Sequence, residues 1–391
     1  MPQTKALITP AVLRWAREQA GYDLHAAAKK MDVPVATLDD WENGSALPSL
    51  AQARTAAEVY RRALAVFYLQ KPPSDFETPR DFRRLPGETP RLFSPEFLFL
   101  ARRLIFSQGW LAEYRRDAGY KESLHAGSAR PEDAAKLARS IRSTLGIGID
   151  WHRHCRTRDD ALRFWISRVE DVGICVRRDP GVELAEARGL ALSDPWAPML
   201  WINAKDSAAG KLFTLAHELA HIWLGESGVS NLSNTGKAPV GTAELEVFCN
   251  RTAASILVAP EIFDRELEQM RRSGQSAETI SRLSQHLKVS DEVIARMLLD
   301  RRAIKTSDYE RLRHEFNDRW LHRSPKRLGH PSYLTLKIAC NGYRFTREVL
   351  TAYQGDYATA TEASDLLDLK INLFPKIISQ IQAHATTGGI R

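Results

Sequence analysis

Apolar positions recur at helical spacing along most of this chain. The first such stretch covers residues 10–20 and stops at Gly21. Asp23 reads as a helix cap, with a second helix expected over Leu24–Met31. Asp32-Val33-Pro34 predicts a tight turn, and Val35–Asn43 a third helix closed by Gly44. Pro48 and Ser49 open a fourth helix, expected to run to about residue 69 before Lys71-Pro72-Pro73-Ser74 breaks the pattern. Residues 74–130 are Arg-rich and punctuated by proline, with helical spacing near 95–114. It returns over 131–145 and 160–172. Residues 173–178, 187–193 and Met199–Asn203 read as short strands. Helices dominate 210–300 and resume over 333–383, and the last six residues read as a frayed tail. Between them, residues 320–330 form a basic, Pro- and Gly-containing loop that also offers itself to nucleic acid. The fold class that follows is α+β and helix-dominated, with a small sheet.

The chain has 391 residues, 43% hydrophobic and 26% charged, enough for two or three domains with real cores. We divide it at residues 1–70, 71–132, 133–300 and 301–391. No run of apolar residues is long enough to span a membrane. The N-terminus lacks a signal pattern, and Cys155, Cys175, Cys249 and Cys340 lie far apart. A membrane or disulfide-framework protein is not expected, and a reducing cytoplasm is. The net charge of +7 is uneven: residues 161–300 carry −4 and residues 301–391 carry +6. The acidic segment is the one that contains the sharpest chemistry.

That chemistry is His217-Glu218-Leu219-Ala220-His221, set in an apolar helix. Residues four apart on a helix lie one turn apart on one face. Both imidazoles can therefore reach one Zn²⁺, with Glu218 beside it to take a proton from water. Two core histidines and a surface Glu are the plain alternative. Residues 244–260 weigh against that alternative. A two-histidine zinc site needs a third ligand, and Glu246 stands four residues before Asn250 on a following helix. Asn250 can hold the second ring nitrogen of a histidine. Glu244 is the rival ligand, about 200° around the helix from Glu246, and Glu246 is preferred because Asn250 shares its face.

The paired motifs, HELAH and then E-x-x-C-N-x-x-A-A-x-x-L-V-x-P, resemble the ImmA/IrrE metallopeptidases over about residues 133–300. The resemblance implies a minimal gluzincin-like peptidase domain. It assigns zinc ligation to His217, His221 and Glu246 and general-base catalysis to Glu218. Relatives cleave a helix-turn-helix repressor. Thr252 departs from the pattern, where an aromatic residue is more usual. Met199–Asn203 is a candidate edge strand for binding an extended peptide, or an ordinary core strand.

Near the N-terminus, Trp41-Glu42-Asn43-Gly44-Ser45-Ala46-Leu47-Pro48 resembles the W-E-x-G-x-x-x-P hallmark of Xre/Cro-type domains, over residues 7–70. The resemblance implies a helix-turn-helix. Base contacts are then expected at Val35, Ala36, Thr37 and Asp40, and phosphate contacts near Lys29 and Lys30. The third helix carries Asp39 and Asp40 and no Arg or Lys, so a lone copy should bind duplex DNA weakly and a dimer better.

Other features read more plainly. His152-Arg153-His154-Cys155 is read as a solvated turn rather than a second metal site, and Cys249 as a packing residue. Residues 287–299 and 363–378 have further helix-turn-helix-like patterns; the first is read as packing and the second has no assignment. Two functions follow. One is a zinc endopeptidase fused to an Xre-type domain, acting on a regulatory protein or on itself. The other is a transcriptional repressor or antitoxin that binds DNA and a partner toxin, with a peptidase-like domain that regulates rather than turns over.

Overall fold

The structure is a computed structural model that describes residues 4–73, 93–230, 242–273, 276–321 and 332–387. The chain divides into two compact units. In the first, α1 (Pro10–Gln19), α2 (Leu24–Met31), α3 (Val35–Asn43) and α4 (Leu50–Val59) precede a short 3-10 helix, Leu64–Tyr68. The Asp23 side chain accepts from the Ala26 amide, and Asp32 closes α2 in a left-handed conformation. α4 stops ten residues before its expected end. Tyr60 caps it and Arg61 turns left-handed, which no continuous helix accepts. Val12, Leu13, Ala27, Ala28, Leu38, Trp41 and Phe67 form the core of this unit.

The Trp-Glu pair of the hallmark is structural. Trp41 lies in the core, and buried Glu42 takes a two-pronged ion pair from Arg17 at 2.8 and 2.9 Å. α5 (Pro95–Asp117) starts in the first unit and ends in the second, whose described residues begin at Ser107.

The second unit continues with α6 (Ala134–Thr144), α7 (Arg158–Asp171), β1 (Cys175–Asp179), β2 (Gly189–Leu192) and β3 (Met199–Asn203). Then come α8 (Ala208–Leu224), β4 (Gly228–Ser230), α9 (Thr242–Leu257) and α10 (Pro260–Ser273). α11 (Ala277–His286), α12 (Asp291–Asp300) and α13 (Thr306–Leu321) follow. The C-terminal part is α14 (Tyr333–Asn341), α15 (Tyr343–Gln354), α16 (Ala360–Leu367), a 3-10 turn and α17 (Phe374–Thr387). Trp320 and Leu321, expected in a loop, end α13, and the rest of that basic segment lies outside the described residues.

The sheet has the order β1-β3-β2-β4, with β1 parallel to β3 and the other pairs antiparallel. The edge-strand expectation for β3 is therefore overturned. β3 is hydrogen-bonded on both sides, and all five of its residues are buried. A strand this apolar on both faces belongs inside a sheet. β4 is the edge instead, and no described strand pairs with its other side.

α14 and α15 pack beside β1, the opposite edge. Arg178 donates to the Ala339 carbonyl at 2.9 Å. Gly342, between the two helices, has φ +81° and sits so close that a Cβ there would lie 2.4 Å from the Val176 carbonyl oxygen. Only glycine meets both demands. Below them, Arg115 of α5 forms a buried ion pair with Glu348 of α15, two bonds of 2.8 Å each, and also donates to the Gly173 and Trp196 carbonyls.

The turn expected to be solvated at residues 152–155 is a 3-10 helix with Trp151, His152 and Cys155 buried. The sequence pattern there carries both ring burial and exposed charge, and the rings win. His152 packs edge-on against His286, and burial followed by that neighbour lowers its pKa to about 4.

Candidate metal centre

α8 is apolar almost all round, so it runs through the core between sheet and helices. It starts where the buried Asn203 ends β3. The Asn203 amide donates to the Val182 and Ala187 carbonyls, and Ser207 then caps the helix through the Gly210 amide. α9 lies against α8, and the small buried residues Ala216, Ala220, Ala253 and Ala254 permit a close approach.

That approach sets three side chains face to face. His217 Nε2 and His221 Nε2 are 3.1 Å apart. Glu246 reaches His217 Nε2 at 3.4 Å and His221 Nε2 at 3.2 Å. Both histidines are fully buried, and the Glu246 side chain is 17% exposed. These three form the one cluster of metal-ligating side chains among the described residues. Glu244, the rival, is exposed and outside it.

The donor set fits a zinc ion. Bond lengths of about 2.0–2.2 Å in a tetrahedron imply ligand atoms about 3.3 Å apart; the two imidazole nitrogens are 3.1 Å apart, and each lies 3.2–3.4 Å from one or the other Glu246 oxygen. Without a cation, two buried imidazole nitrogens face each other across a carboxylate, which is costly in an apolar core.

The electrostatics agree with that tension. Burial disfavours charge on His217, but Glu246, Glu218 and Asn250 outweigh it and raise its pKa. Burial dominates at His221, helped by neighbouring His217, and lowers its pKa. Burial would push Glu246 up, yet the charge and hydrogen bonds of the histidines hold it well below the usual carboxylate range. Asn250 lies close enough to favour protonated His217, but the buried Nδ1 of His217 has no partner of good hydrogen-bond geometry. Cys249 Sγ is 3.9 Å from His221 Nδ1, and burial followed by Glu246 raises its thiol pKa well above the ordinary value. It is a packed thiol, not a thiolate.

Glu218 is fully buried on the adjoining face of α8. Its carboxylate lies against the backbone of β2, where a Cβ on Gly189 would be 2.2 Å from Glu218 Oε1. Sequence reading missed Gly189. The signal was a glycine opening an otherwise apolar strand, which marks close approach of another group.

In the first unit, Lys29, Lys30, Ala36 and Asp40 are exposed, and Val35 and Thr37 are half-buried. Lys29 and Lys30 lie on α2 and the other four on α3. Acidic Asp39 and Asp40 share the exposed side of α3.

Comparison with known proteins agrees with this division. No curated protein matches the chain. Residues 169–299 match the model of a peptidase family described as the IrrE N-terminal-like domain. Residues 13–67 match a model described as helix-turn-helix. The chain thus joins an Xre-type helix-turn-helix domain to a metallopeptidase-like domain of the IrrE N-terminal-like family.

Proposed function

We propose that the second unit is a zinc-dependent endopeptidase that cleaves a regulatory protein, and that the helix-turn-helix domain ties this cleavage to DNA. The observation that carries the reading is the convergence of His217, His221 and Glu246 at tetrahedral-edge spacing inside the core. Zinc held by these three residues would supply Lewis acidity, which makes water acidic near neutral pH and polarises a carbonyl.

The chain's own groups do the rest. Glu218 accepts a proton from the attacking water and returns it to the leaving amine. Its burial against β2 fixes the carboxylate and keeps bulk water from competing for it. The outer side of β4, with which no described strand pairs, is the place for an extended peptide to add as a further strand. Ser230 of β4 pairs with Gly189, the residue that abuts Glu218, so such a peptide lies one strand from the catalytic carboxylate.

The test is the zinc content of the purified full chain, with Glu246→Ala and Glu244→Ala beside it. About one zinc per chain is expected in the wild type and in Glu244→Ala, and little in Glu246→Ala. A folded wild type that takes up no zinc when it is supplied would overturn the reading.

A further inference from the structure

The turn between α2 and α3 recurs at the other end of the chain. The Ala27 amide donates to the Asp23 carbonyl at 3.0 Å, Asp32 to Lys29 at 3.3 Å, Val33 to Ala28 at 3.0 Å and Thr37 to Pro34 at 3.0 Å. Ala363 donates to Thr359 at 3.0 Å, Asp368 to Asp365 at 3.3 Å, Leu369 to Ser364 at 3.1 Å and Leu373 to Lys370 at 3.0 Å. Every residue of the second set stands 336 positions after its counterpart.

Asp32 and Asp368 hold the same left-handed conformation, φ 53° ψ 48° and φ 50° ψ 51°. Asp23 and Thr359 cap the two first helices in the same way. Leu13, Ala16, Ala27, Met31, Leu38 and Trp41 are buried, and so are their counterparts Val349, Ala352, Ala363, Leu367, Phe374 and Ile377. α15, α16 and α17 thus reproduce the first three helices of the N-terminal domain.

A third such turn, between α11 and α12, has the same backbone bonds, but its second helix is covered. α13 lies along it, with Tyr309 and Arg313 reaching Glu292. α17 is different. Asn372, in the 3-10 turn that leads into it, and Pro375, Lys376 and Ser379 on the helix are all exposed. The charge also differs from that of α3. Residues 35–43 hold three acidic residues and no basic one; residues 369–387 hold Lys370 and Lys376 and no acidic one. Lys376 occupies the place of Asp40. On α16, Asp368 pairs with Lys337 and Glu362 is used in the capping box, while exposed Asp365 stands in the place of Lys29, so the cationic groups of this motif lie on and before its second helix.

We infer that α16–α17 is a second duplex-DNA-binding helix-turn-helix, with the α17 face entering the major groove. Asn372 and Ser379 are groups that read base edges, and Lys370 and Lys376 sit where the chain meets phosphates. This inference does not rest on the peptidase reading.

The experiment measures fluorescence anisotropy of labelled 30-bp duplexes of random sequence with the full chain, from 50 to 300 mM salt. The variants are Lys370→Gln/Lys376→Gln, Lys376→Gln alone and Lys29→Gln/Lys30→Gln. All the substituted lysines are exposed, and melting curves report whether each variant folds. Each phosphate contact contributes about 0.9 to the slope of log affinity against log salt. The double C-terminal variant should lose about 1.8 of that slope and about 60-fold in affinity at 0.1 M salt, and the single variant about half the slope change. Wild-type affinity and slope in the double C-terminal variant would overturn the inference, as would binding abolished by the N-terminal pair alone. A shift from dimer to monomer in the double variant, with DNA affinity unchanged, would also overturn it, by making this face a contact between copies.

Discussion

Gly189→Ala concentrates the reasoning about the site in one methyl group. The added Cβ would lie 2.2 Å from Glu218 Oε1, 2.8 Å from Glu218 Cδ and 2.6 Å from Thr214 Cγ2. Ordinary contact begins near 3.4 Å, so the carboxylate must retreat by about 1.2 Å or the strand must move. The strand is held by β3 on one side and β4 on the other, and Glu218 is fully buried. Overpacking of this kind costs about 1–3 kcal/mol. In a unit of this size that lowers the melting temperature by roughly 2–5 °C. The three convergent donors do not touch residue 189, so zinc uptake should match the wild type. A misplacement of about 1 Å at a catalytic group costs roughly 100-fold in rate. Melting, zinc content and turnover on a cleaved partner are the three readouts. Thr214→Ser in the Gly189→Ala background removes one clash and should recover part of the stability but not the rate. A Gly189→Ala chain with wild-type melting and turnover would refute the placement of Glu218 against β2.

Two further outcomes are expected. Burial lifts the Glu170 carboxyl to about 7 from an ordinary 4.5, in spite of bonds from the amides of Arg344, Val176 and Tyr343. A raised folded pKa means that the folded state binds more protons, so this group lowers stability as pH rises from about 4.5 to 7. Glu170→Gln should therefore stabilise the chain by about 3 kcal/mol at pH 8 and change little at pH 4, read from urea titrations at both; equal effects at the two values would refute this. Arg115→Met removes one partner of the buried pair with Glu348 but leaves the Arg344 guanidinium as an ion-pair partner 2.8 Å from that carboxylate. We expect a loss of about 3 kcal/mol, partly recovered in the double variant with Glu348→Leu, and a neutral single variant would refute the pairing.

What the sequence discloses here is local. The histidine spacing and the Glu246–Asn250 face are properties of single helices, and so is the cap at Asp23. They are legible because 3.6 residues per turn fixes which side chains share a side. What it hides is who covers whom. An apolar run such as Met199–Asn203 is compatible with an edge or a centre, and the β1-β3-β2-β4 order decides it through pairings far apart in sequence. His152 looked solvated because its neighbours are charged, and its partner His286 is more than a hundred residues away. α4 ended early at a left-handed Arg61, for which the apolar pattern of residues 50–69 gives no warning. The likeness of residues 359–374 to 23–38 was half visible as a pattern. Its meaning came from backbone bonds that repeat with a constant offset and from a face left uncovered.

The packing of α14 and α15 beside β1 has a consequence for how molecules of this protein can meet. Among the described strands, only β4 leaves a row of main-chain donors and acceptors for a newcomer. Exposed rows of this kind invite pairing between copies. Two copies joined through β4 would each occupy the row that a peptide needs beside Glu218. On the proposed peptidase reading, self-association along that edge and peptide binding would exclude each other, and protein concentration itself would act as a brake on the site.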